Sequence, residues 1–187
     1  MAKEAKNYGI DMDHVYFAGD SAGAQIVSQF VTIQVEKSYA DLLGIKAIVP
    51  PESIEGTLLF CGPYDVTRFA EISDNFLVSF LFRRMGWAYM GDKNWLDSDS
   101  AKEASIIEYV SSTFPHTFIT DGNTGSFENQ GMELTKSLKA NGVPVKDIFY
   151  PKQEEKLGHE YQFIMNTPQA ENTFNEMIKF LKSSTEK

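Results

Sequence analysis

Apolar residues in this chain come in two alternating arrangements: short dense runs, and longer stretches spaced three or four residues apart. Val15-Tyr16-Phe17-Ala18 is the first run, Thr57-Leu58-Leu59-Phe60-Cys61 the second and Thr117-Phe118-Ile119-Thr120 the third, and Val145 to Tyr150 completes the set. Runs with little polar alternation are expected of strands buried on both faces, as in a parallel sheet. Between them the spacing becomes helical. Ala22 to Glu36 places Ile26, Val27, Phe30 and Ile33 on one face, and Met132, Leu134 and Leu138 lead to a stop at Asn141-Gly142. Thr167 to Lys182 aligns Ala170, Phe174, Ile178 and Leu181, and the lead Ala2 to Asn7 reads as the end of a helix. Strand and helix in alternation predict an α/β chain, a mostly parallel sheet with flanking helices, forming a single domain over residues 1–187.

One stretch, about 66–111, departs from this alternation. It is helix-like and aromatic, holding Phe69, Phe76, Phe80, Phe82, Trp87, Tyr89 and Trp95. An insert at the carboxyl end of a strand overhangs the ligand crevice of an open α/β sheet, so a lid- or cap-like position is expected. Most of these aromatics are expected to pack into a satellite core, with a few lining an apolar pocket.

Composition narrows the function classes. Of 187 residues 42% are hydrophobic, enough for one domain with a sizeable core. The net charge of −9 argues against nucleic acid or an anionic membrane as the main partner. Phe76 to Phe82 is too short to span a bilayer, and no secretory signal stands at the start, so a cytoplasmic location is expected. The single cysteine, Cys61, excludes an intramolecular disulfide and a cysteine-based zinc site; in its apolar run it is expected to be a core residue. No metal and no organic cofactor are expected.

The first run and the helix after it are joined by Gly19-Asp20-Ser21-Ala22-Gly23. A G-x-S-x-G pentapeptide is common by chance, but between a strand and a helix it has the context of a nucleophile elbow. Gly19 and Gly23 are expected to let strand and helix approach where a Cβ would clash, around a strained Ser21, with the Ala22 N–H aimed at the same space. A tight turn with an exposed serine is the other reading. A serine hydroxyl needs a base to take its proton. His14 and His116 stand before strands, whereas His159, in Leu157-Gly158-His159-Glu160, follows the fourth strand and so shares the carboxyl end with Ser21. A surface-loop histidine is the alternative there. A phosphate-binding turn is disfavoured by the absence of G-x-G-x-x-G and G-x-x-x-x-G-K-[ST].

Together with Tyr8-Gly9-Ile10-Asp11, Cys61-Gly62-Pro63-Tyr64-Asp65 and Phe114-Pro115, these residues resemble the carboxyl-terminal part of an α/β-hydrolase of the hormone-sensitive-lipase-like esterase group. The resemblance implies a partial α/β-hydrolase fold and a Ser-His-acid triad cleaving a small carboxylic ester without a cofactor. A serine peptidase or thioesterase on the same fold stays open. Relatives carry the acid in an Asp-Pro-Leu-like turn after the third strand, and counting back from Gly131 puts it on Gly125. Nearby stand Asp121, Asn123 and Glu128, with Asp65 further off; Asp121, at the strand end, is chosen, with Glu128 as the alternative acid. Asp20 is expected to anchor the elbow or a loop. The resemblance also implies upstream strands and a His-Gly-Gly loop supplying further oxyanion amides, and this sequence holds neither. Ala22 N–H alone would then serve the oxyanion, and a lost donor costs ~10²–10³ in turnover. The elbow strand is expected at an open sheet edge, pairing with a missing amino-terminal half or with a second copy in an oligomer. A non-catalytic or complementation-dependent fragment is therefore the rival to an active enzyme.

Overall fold

The structure, a computed structural model, describes residues 2–72 and 76–185. Four strands form its sheet: β1 (Val15–Asp20), β2 (Ile54–Phe60), β3 (Thr117–Thr120) and β4 (Val145–Ile148), in the order β1-β2-β3-β4 with every neighbouring pair parallel. After α1 (Ala2–Ala5), the crossovers are α2 (Ala22–Val35) with α3 (Lys37–Leu43), then α4 (Phe76–Met90) with α5 (Asp99–Ala104), then α6 (Glu128–Ala140); α7 (Pro168–Thr185) follows β4. Against expectation, β1 runs on through Gly19 and Asp20, β2 begins at Ile54, and β4 stops at Ile148 rather than Tyr150.

The two-residue period of the strands divides the core between the faces of the sheet. Leu59 and Ile119 point to one side, where Val31, Ile33, Tyr39, Leu134 and Leu138 meet them. Leu58, Phe60 and Phe118 point to the other, against Phe180 with Met177 and Leu181 of α7. Each fully buried Leu, Ile or Phe contributes roughly 1.5–3 kcal/mol, so both helical layers hold the sheet.

Three expected core positions are instead exposed: Ile26, Met132 and Phe174, at 54%, 45% and 45%. Buried polar side chains with partners explain the misphased faces. On α2, Gln25 donates to Ala104 O (3.1 Å), and Gln34 Oε1 accepts the amides of Ile48 and Val49 (2.8 and 3.0 Å). On α7 the inward row is Ala170, Thr173, Met177 and Phe180, and the Thr173 hydroxyl hydrogen-bonds Tyr161 (2.8 Å). An apolar-only count cannot register such positions.

In the segment after β2, Trp95 is fully buried with Val66, Ala101 and Ala104, and Phe69 and Trp87 pack on this satellite core. Trp95 Nε1 donates to Arg83 O (3.1 Å), whereas Phe76 and Tyr89 are exposed. β1 is the outer strand, with no partner on its other side among the described residues. No described helix is long and apolar enough to cross a membrane.

Candidate active site

Parallel pairing sets Asp20 beside Phe60 and Phe60 beside Thr120, the last residues of three adjacent strands. The next residue of each, Ser21, Cys61 and Asp121, therefore comes out in a row across one end of the sheet. Ser21 N donates to Phe60 O (2.8 Å) and Cys61 N to Thr120 O (3.0 Å), extending the ladder one step beyond the strands. Ser21 itself has φ 53° and ψ −121°. For a residue with a Cβ this backbone costs about 1–3 kcal/mol and persists only where its surroundings fix it.

Gly19 is part of what fixes it. A Cβ at Gly19 would stand 2.2 Å from Gly23 O, in the first turn of α2. Gly19→Ala is expected to destabilise the fold by about 2–4 kcal/mol, read as a lowered urea midpoint. The expectation for Gly23 is corrected: its Cβ position is open, so the clash involves its carbonyl, not its missing side chain. Gly23→Ala should stay within ~0.5 kcal/mol of the parent. Equal losses at the two glycines would contradict this division.

His159 lies in the loop after β4, which the β3–α6 loop holds from beneath. The Asn123 amide donates to Tyr150 O (3.0 Å) and Glu155 O (2.8 Å), and its oxygen accepts Leu157 N (3.0 Å). Thr124 bridges to Gly158, and a Cβ on Gly122 would come within 2.1 Å of Gly158 O. So clamped, His159 places Nε2 2.9 Å from Ser21 Oγ. Its Nδ1 lies 2.6 Å from the hydroxyl of Ser126, which in turn hydrogen-bonds Asp121 Oδ1. Asp121 thus reaches the imidazole through a hydroxyl, not directly as expected. Cys61 Sγ, an Asp121 carboxylate oxygen and a His159 ring nitrogen lie within 4.8 Å of one another.

Burial sets the protonation of this cluster. It lowers His159, which keeps the imidazole neutral near pH 7 although the Glu160 carboxylate opposes the shift. Burial pushes Asp121 up to about 7 against hydrogen bonds from Ser126, Cys61 and the Gly122 amide. Its Oδ2 is buried with no hydrogen bond of good geometry among the described residues. Burial also pushes the Cys61 thiol up to about 12, so it stays protonated and is no nucleophile at neutral pH.

The other candidates stand elsewhere. Glu128 opens α6 and makes no hydrogen bond to His159 among the described residues; burial raises its carboxyl while Lys152 opposes. Against burial, hydrogen bonds from Thr67, Arg68 and Ser105 hold Asp65 below the usual carboxylate range, and these partners lie outside the serine site. Asp20 Oδ1 accepts a long 3.5 Å bond from Gln162, and burial with the nearby Glu160 pushes its carboxyl up to about 6. His14 pairs with Glu55 (2.6 Å) and the His116 ring packs on Phe180, both at the amino ends of strands.

Ser21 and His159 open onto a cavity of about 410 Å³ walled by Phe69, Val78, Phe82, Met85 and Phe127. The Phe127 ring meets the His159 ring edge-on, centroids 5.9 Å apart, and stacks on Phe69 at 5.6 Å. Ala22 N–H is the first amide of α2, ahead of the Ala24 and Gln25 amides that donate to Ser21 O (3.0 and 3.4 Å), and no side chain caps this end. Sequence reasoning missed Ser126 and Phe127. Their one available signal was position: they directly follow Gly125, where the resemblance puts an acid.

A family model described as the alpha/beta hydrolase fold matches residues 1–160. Esterase B from Lactobacillus rhamnosis, solved with a bound inhibitor, superposes with a TM-score of 0.70 at 21% identity over 97% of this chain. An esterase of the bacterial hormone-sensitive lipase family gives 0.67 at 17% identity over 98%, and a fungal esterase structure from Rhizomucor miehei 0.63 at 17% over 97%. This chain spans 58%, 57% and 55% of those chains, in that order. No curated protein matches. At such identities the likeness is one of fold.

Proposed function

The chain belongs to the α/β-hydrolase fold family, and on that premise we propose that it is a serine hydrolase of carboxylic esters, with Ser21 as nucleophile, His159 as base and Asp121 as the acid. The observation that carries this is the 2.9 Å contact between Ser21 Oγ and His159 Nε2, at a strained elbow facing an apolar cavity. In the proposed reaction Nε2 takes the hydroxyl proton as Oγ attacks the ester carbonyl. Ala22 N–H donates to the oxyanion. His159 returns the proton to the departing alcohol, leaving an acyl-Ser21 ester. Water, activated by the same imidazole, releases the acid and restores Ser21. Asp121 supplies the negative charge that favours the imidazolium formed twice in the cycle.

The cavity is built for an apolar group: its walls are aromatic and aliphatic, and its charged groups stand at the serine end. The proposed substrate is therefore a small apolar ester. Matched nitrophenyl ester, thioester and anilide substrates test the bond class. The expected order of kcat/KM is ester at or above thioester, with the anilide lower by ~10²-fold or more. An anilide cleaved as fast as the ester would favour a peptidase.

The open edge of β1 favours a second reading, in which turnover needs a further strand, from a second copy or another chain, paired along Val15–Asp20. Activity that rises with protein concentration faster than linearly would support it.

A further inference from the structure

We propose that Ser126 is a positioning residue that sets the tautomer of His159, relaying the Asp121 carboxylate to Nδ1 through its hydroxyl. The assignment follows from counting protons. A serine hydroxyl has one proton to donate and two lone pairs, while an ionised carboxylate only accepts. Ser126 touches both Asp121 Oδ1 and His159 Nδ1, so its proton goes to the carboxylate. Toward the ring it can then only accept. Nδ1 therefore carries the hydrogen, and Nε2, 2.9 Å from Ser21 Oγ, is left bare to take the serine proton. Only one proton moves when Ser21 attacks, from Oγ to Nε2; the hydrogens on Nδ1 and Ser126 stay in place and orient the new imidazolium.

Two further observations bear on this. The Ser126 loop is held at both ends, by buried Phe127 on one side and the Thr124–Gly158 bridge on the other. Asp121 Oδ2 is buried without a hydrogen bond of good geometry, so the carboxylate meets its neighbours chiefly through Oδ1, the oxygen that Ser126 holds. A carboxylate in this setting is costly to bury, and the Ser126 relay gives it a use.

The inference rests on Ser21 and His159 being the working pair, so its test includes a readout that needs no turnover. Nitrogen-15 NMR of the His159 ring in the full chain, at a pH above the titrations of both His159 and Asp121, should show Nδ1 protonated and Nε2 bare. In Asp121→Asn the amide donates to Ser126, Ser126 donates to Nδ1, and the hydrogen should move to Nε2. Ser126→Ala should give mixed tautomers and a ~10²-fold lower kcat with KM little changed, and Ser126→Thr should restore both. Adding Asp121→Asn to Ser126→Ala should cost no more than ~3-fold further, because the link is already cut. An Nε2-protonated ring in the parent, or Ser126→Ala with the parent's tautomer and kcat, overturns the proposal. A parent with the expected tautomer but no esterase activity would instead overturn the hydrolase reading.

Discussion

Ser21→Ala is expected to lower kcat on a short-chain nitrophenyl ester by ~10⁵–10⁶, the scale seen when a serine protease loses its nucleophile. The size of the loss follows from the elbow. Among the described residues Ser21 is the only hydroxyl hydrogen-bonded to His159 Nε2, and the strained φ of 53° that presents it is held by Gly19 and by the ladder bond to Phe60 O. Alanine keeps the backbone, the cavity and Ala22 N–H, so the residue left over measures what the oxyanion amide and binding contribute without a nucleophile. KM should change little. A loss below ~10-fold would mean that hydrolysis runs without an acyl-serine.

The second large effect is expected at Asp121, in opposite directions for activity and stability. Asp121→Asn should cost ~10³–10⁴ in kcat, because an amide in that place favours the wrong imidazole tautomer. The same change should help the fold at alkaline pH. Burial raises Asp121 from an ordinary 3.8 to about 7 in the folded chain. A carboxyl raised on folding contributes stability that is complete below its unfolded value and is lost as pH climbs through its folded value. From pH 5 to pH 8 the parent should therefore lose about 2–3 kcal/mol from this one group, at ~1.36 kcal/mol per pH unit. The asparagine variant has nothing to titrate there, so urea unfolding at the two pH values should show the gap between the proteins shift by that amount in its favour. An unchanged gap would mean that Asp121 is not held in the buried state described. Groups with lowered values, Asp65 and Glu176, act in the opposite sense, and the comparison cancels them because both proteins contain them.

That Ser21 and His159 meet at one end of the sheet was legible in the sequence because it follows from strand direction. A dense apolar run before Ser21 and a strand before His159, in one parallel sheet, leave little choice but to put both at the same end. The setting of Asp121 was harder to read for a physical reason. Asp121 was visible as the residue after Thr120, but its link to the ring depends on Ser126, a small polar residue in a polar loop whose part appears only when that loop folds over Asp121. Helix faces misled where Gln25, Gln34 and Thr173 are buried with hydrogen-bond partners, since hydropathy counts them as outward. The pentapeptide glycines look alike in sequence, yet only Gly19 meets a backbone atom at contact distance.

The most direct test of the account is covalent labelling of the folded chain with a fluorophosphonate, followed by mass spectrometry to locate the adduct. The expected result is one adduct per chain, on Ser21, absent in Ser21→Ala and formed ~10³-fold more slowly in His159→Ala. A folded chain that stays unlabelled, or one labelled equally fast without His159, would contradict the claim that these two residues form a working nucleophile and base.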